Sequence, residues 1–211
     1  MKNMITIYCD GGCRGNQKKH NIGGWGAILT QNDTDNEKEI YGNKINTTNN
    51  QMELTACIKS LEAIKEDARC KVNIEIYSDS AYLVNGMNSW INGWIKKNWI
   101  NSKKKPVENK ELWQQILELT KKFENVTFNK CKGHSGEELN ERADELANIA
   151  MDELENKETV DIDKNTELQT ILGSLKSNRK KLEELNIEGY IEDAIQSIDL
   201  AIKNIINKID D

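Results

Sequence analysis

Met4-Ile5-Thr6-Ile7-Tyr8-Cys9-Asp10-Gly11-Gly12 and Val72-Asn73-Ile74-Glu75-Ile76-Tyr77-Ser78-Asp79-Ser80 decide the fold. Each is a short run of alternating apolar and polar residues, the period of a half-buried strand, and each closes on an aspartate. Between them lie two more strand-like runs, Gly23-Gly24-Trp25-Gly26-Ala27-Ile28-Leu29 and Glu39-Ile40-Tyr41-Gly42-Asn43-Lys44-Ile45. The cluster Asn32-Asp33-Thr34-Asp35-Asn36 separates these two and predicts an antiparallel hairpin. A helix is expected from about Gln51 to Asp67, with Cys57, Leu61 and Ile64 on one face. Strand, helix and returning strand favour a parallel neighbour in the same sheet. Helical patterns follow over about 80–97, 110–122 and 138–155, with a short strand at Val126-Thr127-Phe128. The expected class is α/β: a mixed five-stranded sheet flanked by helices.

The chain of 211 residues has room for one ordinary domain plus an appendage. No apolar run approaches the length of a membrane span. Met1-Lys2-Asn3 leads straight into the first strand pattern, without the apolar core and cleavage site of a signal peptide. The five cysteines (Cys9, Cys13, Cys57, Cys70 and Cys131) are odd in number and scattered, which favours reduced thiols and a cytoplasmic location. The net charge of −6 argues against nucleic acid only as a sum. Its distribution argues otherwise: Lys96 to Lys105 carries five lysines and no acid.

Four acids stand where packing explains them poorly. Asp10 before two glycines fits a turn equally well, and Asp79 fits a helix cap. If their strands are parallel neighbours, however, both carboxylates emerge at one sheet edge, where ligands gather in sheets with crossover helices. Glu53 lies one turn before Cys57 on the inward face of its helix, an expensive place for an uncompensated acid. Asp144 continues the stripe of Ala147 and Met151, with a salt bridge to Arg142 or Lys132 as the plain alternative. Four clustered carboxylates repel one another. Two divalent cations about 3.5–4 Å apart would neutralise them and clamp a phosphate. Hard oxygen donors suit Mg2+, with Mn2+ as a substitute.

His134, between Gly133 and Ser135-Gly136, is either a solvent-exposed bystander or an imidazole that hands a proton to a leaving group. Trp90, Trp94 and Trp99 stand beside Lys96 and Lys97. Trp90 and Trp94, one helical turn apart, fit a core, and the lysines fit a solvated face. Beside a carboxylate cage the better reading is a nucleic-acid surface, with lysines on phosphates and rings on sugars or bases.

Taken together these residues resemble the ribonuclease H family, type 1. The resemblance is carried by Tyr8-Cys9-Asp10-Gly11-Gly12-Cys13-Arg14-Gly15-Asn16, Gly23-Gly24-Trp25-Gly26-Ala27, Thr47-Thr48-Asn49-Asn50-Gln51-Met52-Glu53-Leu54, Tyr77-Ser78-Asp79-Ser80, Lys132-Gly133-His134-Ser135-Gly136 and Asn140-Glu141-Arg142-Ala143-Asp144-Glu145-Leu146-Ala147. It covers about residues 3–152. It implies strands one to three antiparallel and strand four parallel to strand one. It also implies hydrolysis of the RNA strand of RNA–DNA hybrids by two metal ions, giving 5′-phosphate and 3′-hydroxyl ends without marked base specificity. The family's metal ligands fall on Asp10, Glu53, Asp79 and Asp144, and its mobile histidine on His134. Contacts to RNA 2′-hydroxyls fall near Asn16, Asn49 and Gln51, with Gly11 and Cys13 nearby. Thr48 and Asn109 fall on a pocket for a DNA-strand phosphate, and the tryptophan–lysine segment on the basic protrusion that grips that strand. The loop Gln17-Lys18-Lys19-His20-Asn21-Ile22 departs from the family's proline- and glycine-rich text.

Beyond residue 155 the resemblance stops. Residues 156–166 are polar and predict a linker. In 167–211, Leu168, Ile171, Leu175, Leu182 and Leu185, then Ile191, Ile195, Ile198, Ile202, Ile205 and Ile209, predict two amphipathic helices. Asn186-Ile187-Glu188-Gly189 would join them as a helical hairpin. Their narrow seams must close on each other, on the main domain or on a partner. Heptad spacing favours self-association or a protein partner through this hairpin over packing on the catalytic domain.

Overall fold

A computed structural model describes residues 3–15, 21–32, 36–133, 136–184 and 191–210. Its strands are β1 (Asn3–Arg14), β2 (Ile22–Gln31), β3 (Glu37–Ile45), β4 (Val72–Ser78) and β5 (Asn125–Lys130). They form one sheet in the order β3-β2-β1-β4-β5. β1 and β3 each pair antiparallel with β2, whereas β1–β4 and β4–β5 are parallel. The expected mixed sheet is thus present, with strand four parallel to strand one. β4 alternates buried and half-buried residues without a fault, as a strand with one face on a core must.

One expectation about β1 needs correcting. Asp10 does not end the strand, because β1 continues to Arg14 against β2. Its parallel pairing with β4 stops at Tyr8–Tyr77. Asp10 therefore lies just past the end of the parallel pair, and Asp79 just past Ser78, so both still leave the same edge.

Helix α1 (Asn49–Glu62) is capped by Thr48, whose hydroxyl accepts from the Gln51 amide. It presents Met52, Leu54, Cys57, Ile58 and Leu61 to the core beneath the sheet. It stops five residues before the predicted end. The buried Arg69 donates to the carbonyls of Glu62 and Ile64, satisfying the last turn from outside. A short α2 (Glu66–Arg69) follows. The helical stretch predicted over 80–97 is α3 (Ala81–Asn85), one π turn (Gly86–Trp90) and α4 (Ile91–Lys96). Helix α5 (Lys110–Thr120) buries Trp113 and Ile116.

Helix α6 runs from Glu138 to Glu184 and α7 from Ile191 to Asp210. The stretch 156–166, expected as a linker, is therefore helical: no proline or glycine lies between Gly136 and Gly173 to stop the helix. Two compact units result, residues 1–154 and 155–211. Within the second, an Arg179–Asp199 ion pair at 2.6 Å ties α6 to α7. Leu172 is buried, while Leu168, Leu175, Ile195, Ile198, Ile202 and Ile205 are half-buried. Ile171, expected in the seam, is exposed, because the 4-3-4 spacing Leu168, Leu172, Leu175, Arg179 sets the inward stripe. The expected turn at 186–189 lies outside the described residues. Among the described residues no helix is long and apolar enough to cross a membrane.

Candidate active site

The site forms where three backbones meet the end of the parallel strands. Gly11 lets β1 touch α1: a Cβ there would lie 2.3 Å from the Met52 carbonyl carbon and 2.4 Å from the Glu53 nitrogen. Asp10 and Glu53 flank this contact. Gly26, paired with Asp10 across β1 and β2, admits α6 in the same way, with its Cβ position 2.4 Å from the Ala143 carbonyl oxygen. Asp144 follows Ala143. Close glycine contacts thus convert sheet register into carboxylate proximity.

Asp10, Glu53 and Asp79 each bring one carboxylate oxygen within 4.8 Å of the other two. Asp144 stands beside this trio, close enough for its carboxylate to raise that of Asp10. Asp10 accepts the Gly11 amide at 2.8 Å. Burial, then the charge of Asp79, pushes the Asp10 carboxyl up to about 6, against the pull of the Gly11 amide. Burial, then Asp10 and Asp79, pushes Glu53 well above the usual carboxylate range, opposed by the Ser80 hydroxyl and the Gly11 amide. Glu53 Oε2 is buried with no hydrogen-bond partner. A buried acceptor left unpaired among acids is costly, and cations remove that cost. With oxygen donors only and no histidine or thiol in the trio, these residues fit hard divalent cations.

The plain alternative for Asp79 fails, and so does the Arg142 partner considered for Asp144. Ser80, not Asp79, caps α3, with its hydroxyl accepting from the Leu83 amide. Arg142 pairs with Glu39 and Glu145 rather than with Asp144.

Around the carboxylates, Gln51 donates to Asn109 at 3.3 Å and accepts from the Thr47 hydroxyl at 2.9 Å. Asn109 takes a left-handed turn (φ 56°) and donates to Tyr82. Thr48 caps α1 beside the exposed Asn49. Cys13 is half-buried on β1, and Asn16 and His134 lie outside the described residues. Trp90 is 39 % exposed, and its ring stands 5.7 Å from that of Trp94, which in turn meets the buried Trp113 at 5.5 Å. Lys96 and Lys97 are exposed. Grooves on either side of Trp94 are lined by Trp90 and Lys97 on one side and by Lys103 and Lys105 on the other. Trp99 departs from the expected surface: consecutive left-handed residues, Asn98 and Trp99, turn its ring inward to 9 % exposure, where it packs with the core.

Two contributors escaped the sequence reading. The Ser80 hydroxyl draws the Glu53 carboxyl down against burial, and Asn148 donates to Asp144 Oδ1 at 3.1 Å. Only the second left a signal, a polar residue one helical turn beyond Asp144.

Residues 2–152 match the family model described as RNase H. Ribonuclease H of Francisella tularensis subsp. novicida is 52 % identical over 153 residues, 72 % of this chain and 94 % of that one. Ribonuclease H of Chlorobaculum parvum is 52 % identical over 154 residues, 72 % of this chain and 99 % of that one. Among solved structures, LC9-RNase H1, a type 1 RNase H with the type 2 active-site motif, is similar with a TM-score of 0.63 at 27 % identity, covering 72 % of this chain and 73 % of that one. LC11-RNase H1 in complex with RNA/DNA hybrid gives 0.54 at 30 % identity, covering 71 % and 98 %.

Proposed function

The chain belongs to the ribonuclease H family, and from that membership we propose a metal-dependent endoribonuclease that hydrolyses the RNA strand of RNA–DNA hybrids, without marked base specificity. The observation that carries this is the trio of carboxylate oxygens within 4.8 Å, one of whose members leaves a buried oxygen unpaired. Asp10, Glu53, Asp79 and Asp144 would hold two ions with substrate bound, Mg2+ by preference and Mn2+ as a substitute. When bound, such a pair supplies positive charge that activates the attacking water and offsets charge on the leaving oxygen.

The chain's own residues do the rest. Water attacks phosphorus, the bond to the 3′ oxygen breaks, and the fragments carry 5′-phosphate and 3′-hydroxyl ends. His134 passes a proton to the leaving oxygen or aids product release. Asn16, Asn49 and Gln51, with Gly11 and Cys13, face RNA 2′-hydroxyls, the group that separates RNA from DNA. Thr48 and Asn109 receive a DNA-strand phosphate, a reading supported by the hydrogen bond joining Gln51 to Asn109. Trp90, Trp94, Lys96 and Lys97 grip the same strand. The burial of Trp99 gives it a supporting part only.

Matched RNA–DNA hybrid, RNA duplex and DNA duplex, offered with and without Mg2+, test the reading. Cleavage is expected only of the RNA strand of the hybrid and only with metal. Preference for the DNA duplex, or undiminished cleavage in chelator, overturns it.

Catalysis is assigned to residues 1–155, in a cytoplasmic setting supported by five unpaired cysteines. Residues 167–211 are proposed as a self-association hairpin, supported by its half-buried seam and by exposed Ile171, Leu200 and Ile206. A chain ending at Glu155 is expected to cleave hybrid and to be monomeric by light scattering, whereas the full chain is dimeric or larger. A monomeric full chain rejects this role.

A further inference from the structure

Asp144 is the one acid of the four outside the tight trio, so something must fix where its carboxylate points. On α6, Asp144, Asn148 and Asp152 stand one turn apart on a single face. Arg14, on β1, reaches across to that face. Its guanidinium pairs with Asp152 and donates to Asn148 Oδ1 at 2.6 Å. Asn148 Nδ2 donates in turn to the Asp144 carbonyl at 2.9 Å and to Asp144 Oδ1 at 3.1 Å.

This order has a physical direction. An asparagine amide can present either its oxygen or its nitrogen to a neighbour. The oxygen turned toward Asp144 would repel the carboxylate. Arginine has donors only, so it captures the amide oxygen and leaves the nitrogen facing Asp144. The charge on Arg14 also polarises the amide and strengthens its outer donor. Asp152 holds the guanidinium in place from the next turn.

We propose that Arg14 and Asn148 are positioning residues that orient the Asp144 carboxylate for cation binding. The inference rests on Asp144 being a metal ligand, as proposed above. Partners of this kind fix a ligand's direction without touching the ion, and their loss costs about 10- to 100-fold in metal affinity. β1 carries both Asp10 and Arg14, so one strand supplies a carboxylate to the cage and steers another from α6.

The test is Mn2+ binding to the substrate-free full chain by calorimetry, with melting temperature in chelator measured alongside. Asn148→Ala and Arg14→Ala are each expected to bind Mn2+ at least about 10-fold more weakly. Asn148→Asp, which sets an acceptor against Asp144, should be worse than Asn148→Ala. The double variant should be no weaker than the worse single, because both act on one carboxylate. Arg14→Lys keeps the charge but loses the two-pronged grip, and should fall between parent and Arg14→Ala even if the alanine variant folds poorly. Asp144→Asn serves as reference. If it weakens binding while Asn148→Ala binds like the parent, or if the two single effects add, the inference fails and the ligand assignment stands. If Asp144→Asn itself binds like the parent, the ligand assignment fails and the inference goes with it.

Discussion

Asp10→Asn is expected to abolish metal-dependent hybrid cleavage and, in chelator, to make the folded protein more stable. The substitution keeps shape and an oxygen that accepts the Gly11 amide, but removes one charge from the trio. Metal assistance is worth several kcal/mol at the transition state, so the rate should drop by at least about 10³-fold while hybrid binding is largely kept. The stability gain follows from linkage. Burial and Asp79 raise the Asp10 carboxyl to about 6, so the fold favours its protonated form. Below about pH 4 both folded and unfolded chains hold the proton and nothing is lost. Between about pH 4 and pH 6 only the unfolded chain releases it, and stability falls as pH rises. Above the folded value the loss is complete, on the order of 3 kcal/mol at about 1.4 kcal/mol per unit. Glu53, also raised, acts in the same direction.

Asparagine carries no such charge. In chelator at pH 7.5 the variant should melt above the parent, and its stability should change less with pH across that window. Added Mg2+ should raise the melting temperature of the parent and scarcely that of the variant, because a ligand stabilises only the state that binds it. Cleavage at the parental rate removes Asp10 from the cage. A variant that melts lower in chelator shows that repulsion does not dominate there.

The parts legible in the sequence were those governed by local period. The faultless alternation of Val72–Ser78 gave β4, and the inward Glu53 stood out because its face was already marked by Cys57, Leu61 and Ile64. What stayed hidden depended on contacts far apart in the chain. Nothing near Glu62 announces the end of α1, because Arg69 supplies the missing donors from a later turn. The polarity of residues 156–166 suggested a linker, but polar residues with no helix breaker continue a helix readily. Trp99 looked like its neighbours in composition, yet two left-handed residues aim it at the core. Arg14 and Asn148 are 134 residues apart, and only the fold brings them together.

Gly11→Ala is expected to lose activity far out of proportion to its size. The added methyl would sit 2.3 Å from the Met52 carbonyl carbon, 2.4 Å from the Glu53 nitrogen and 2.6 Å from the Met52 oxygen. All three are backbone atoms, so no side-chain rotation relieves the clash, and β1 must part from α1. Asp10 and Glu53 lie on the two sides of that contact, and parting them spreads the cage. Overpacking of this kind costs about 1–3 kcal/mol of stability. Displacement of reacting groups by about 1 Å costs about 10²-fold in rate. Hybrid cleavage should therefore fall about 100-fold at a temperature where circular dichroism still shows a folded chain, and Mn2+ binding should weaken in parallel. Gly173→Ala is the control: its added methyl meets nothing within 4 Å, and it lies inside α6. Replacing a helical glycine by alanine should leave cleavage unchanged and raise stability by up to about 1 kcal/mol. If Gly11→Ala cleaves like the parent, the approach of β1 to α1 does not set the spacing of the carboxylates. If it loses stability and activity in step, with no excess loss of rate while still folded, the contact serves the fold alone.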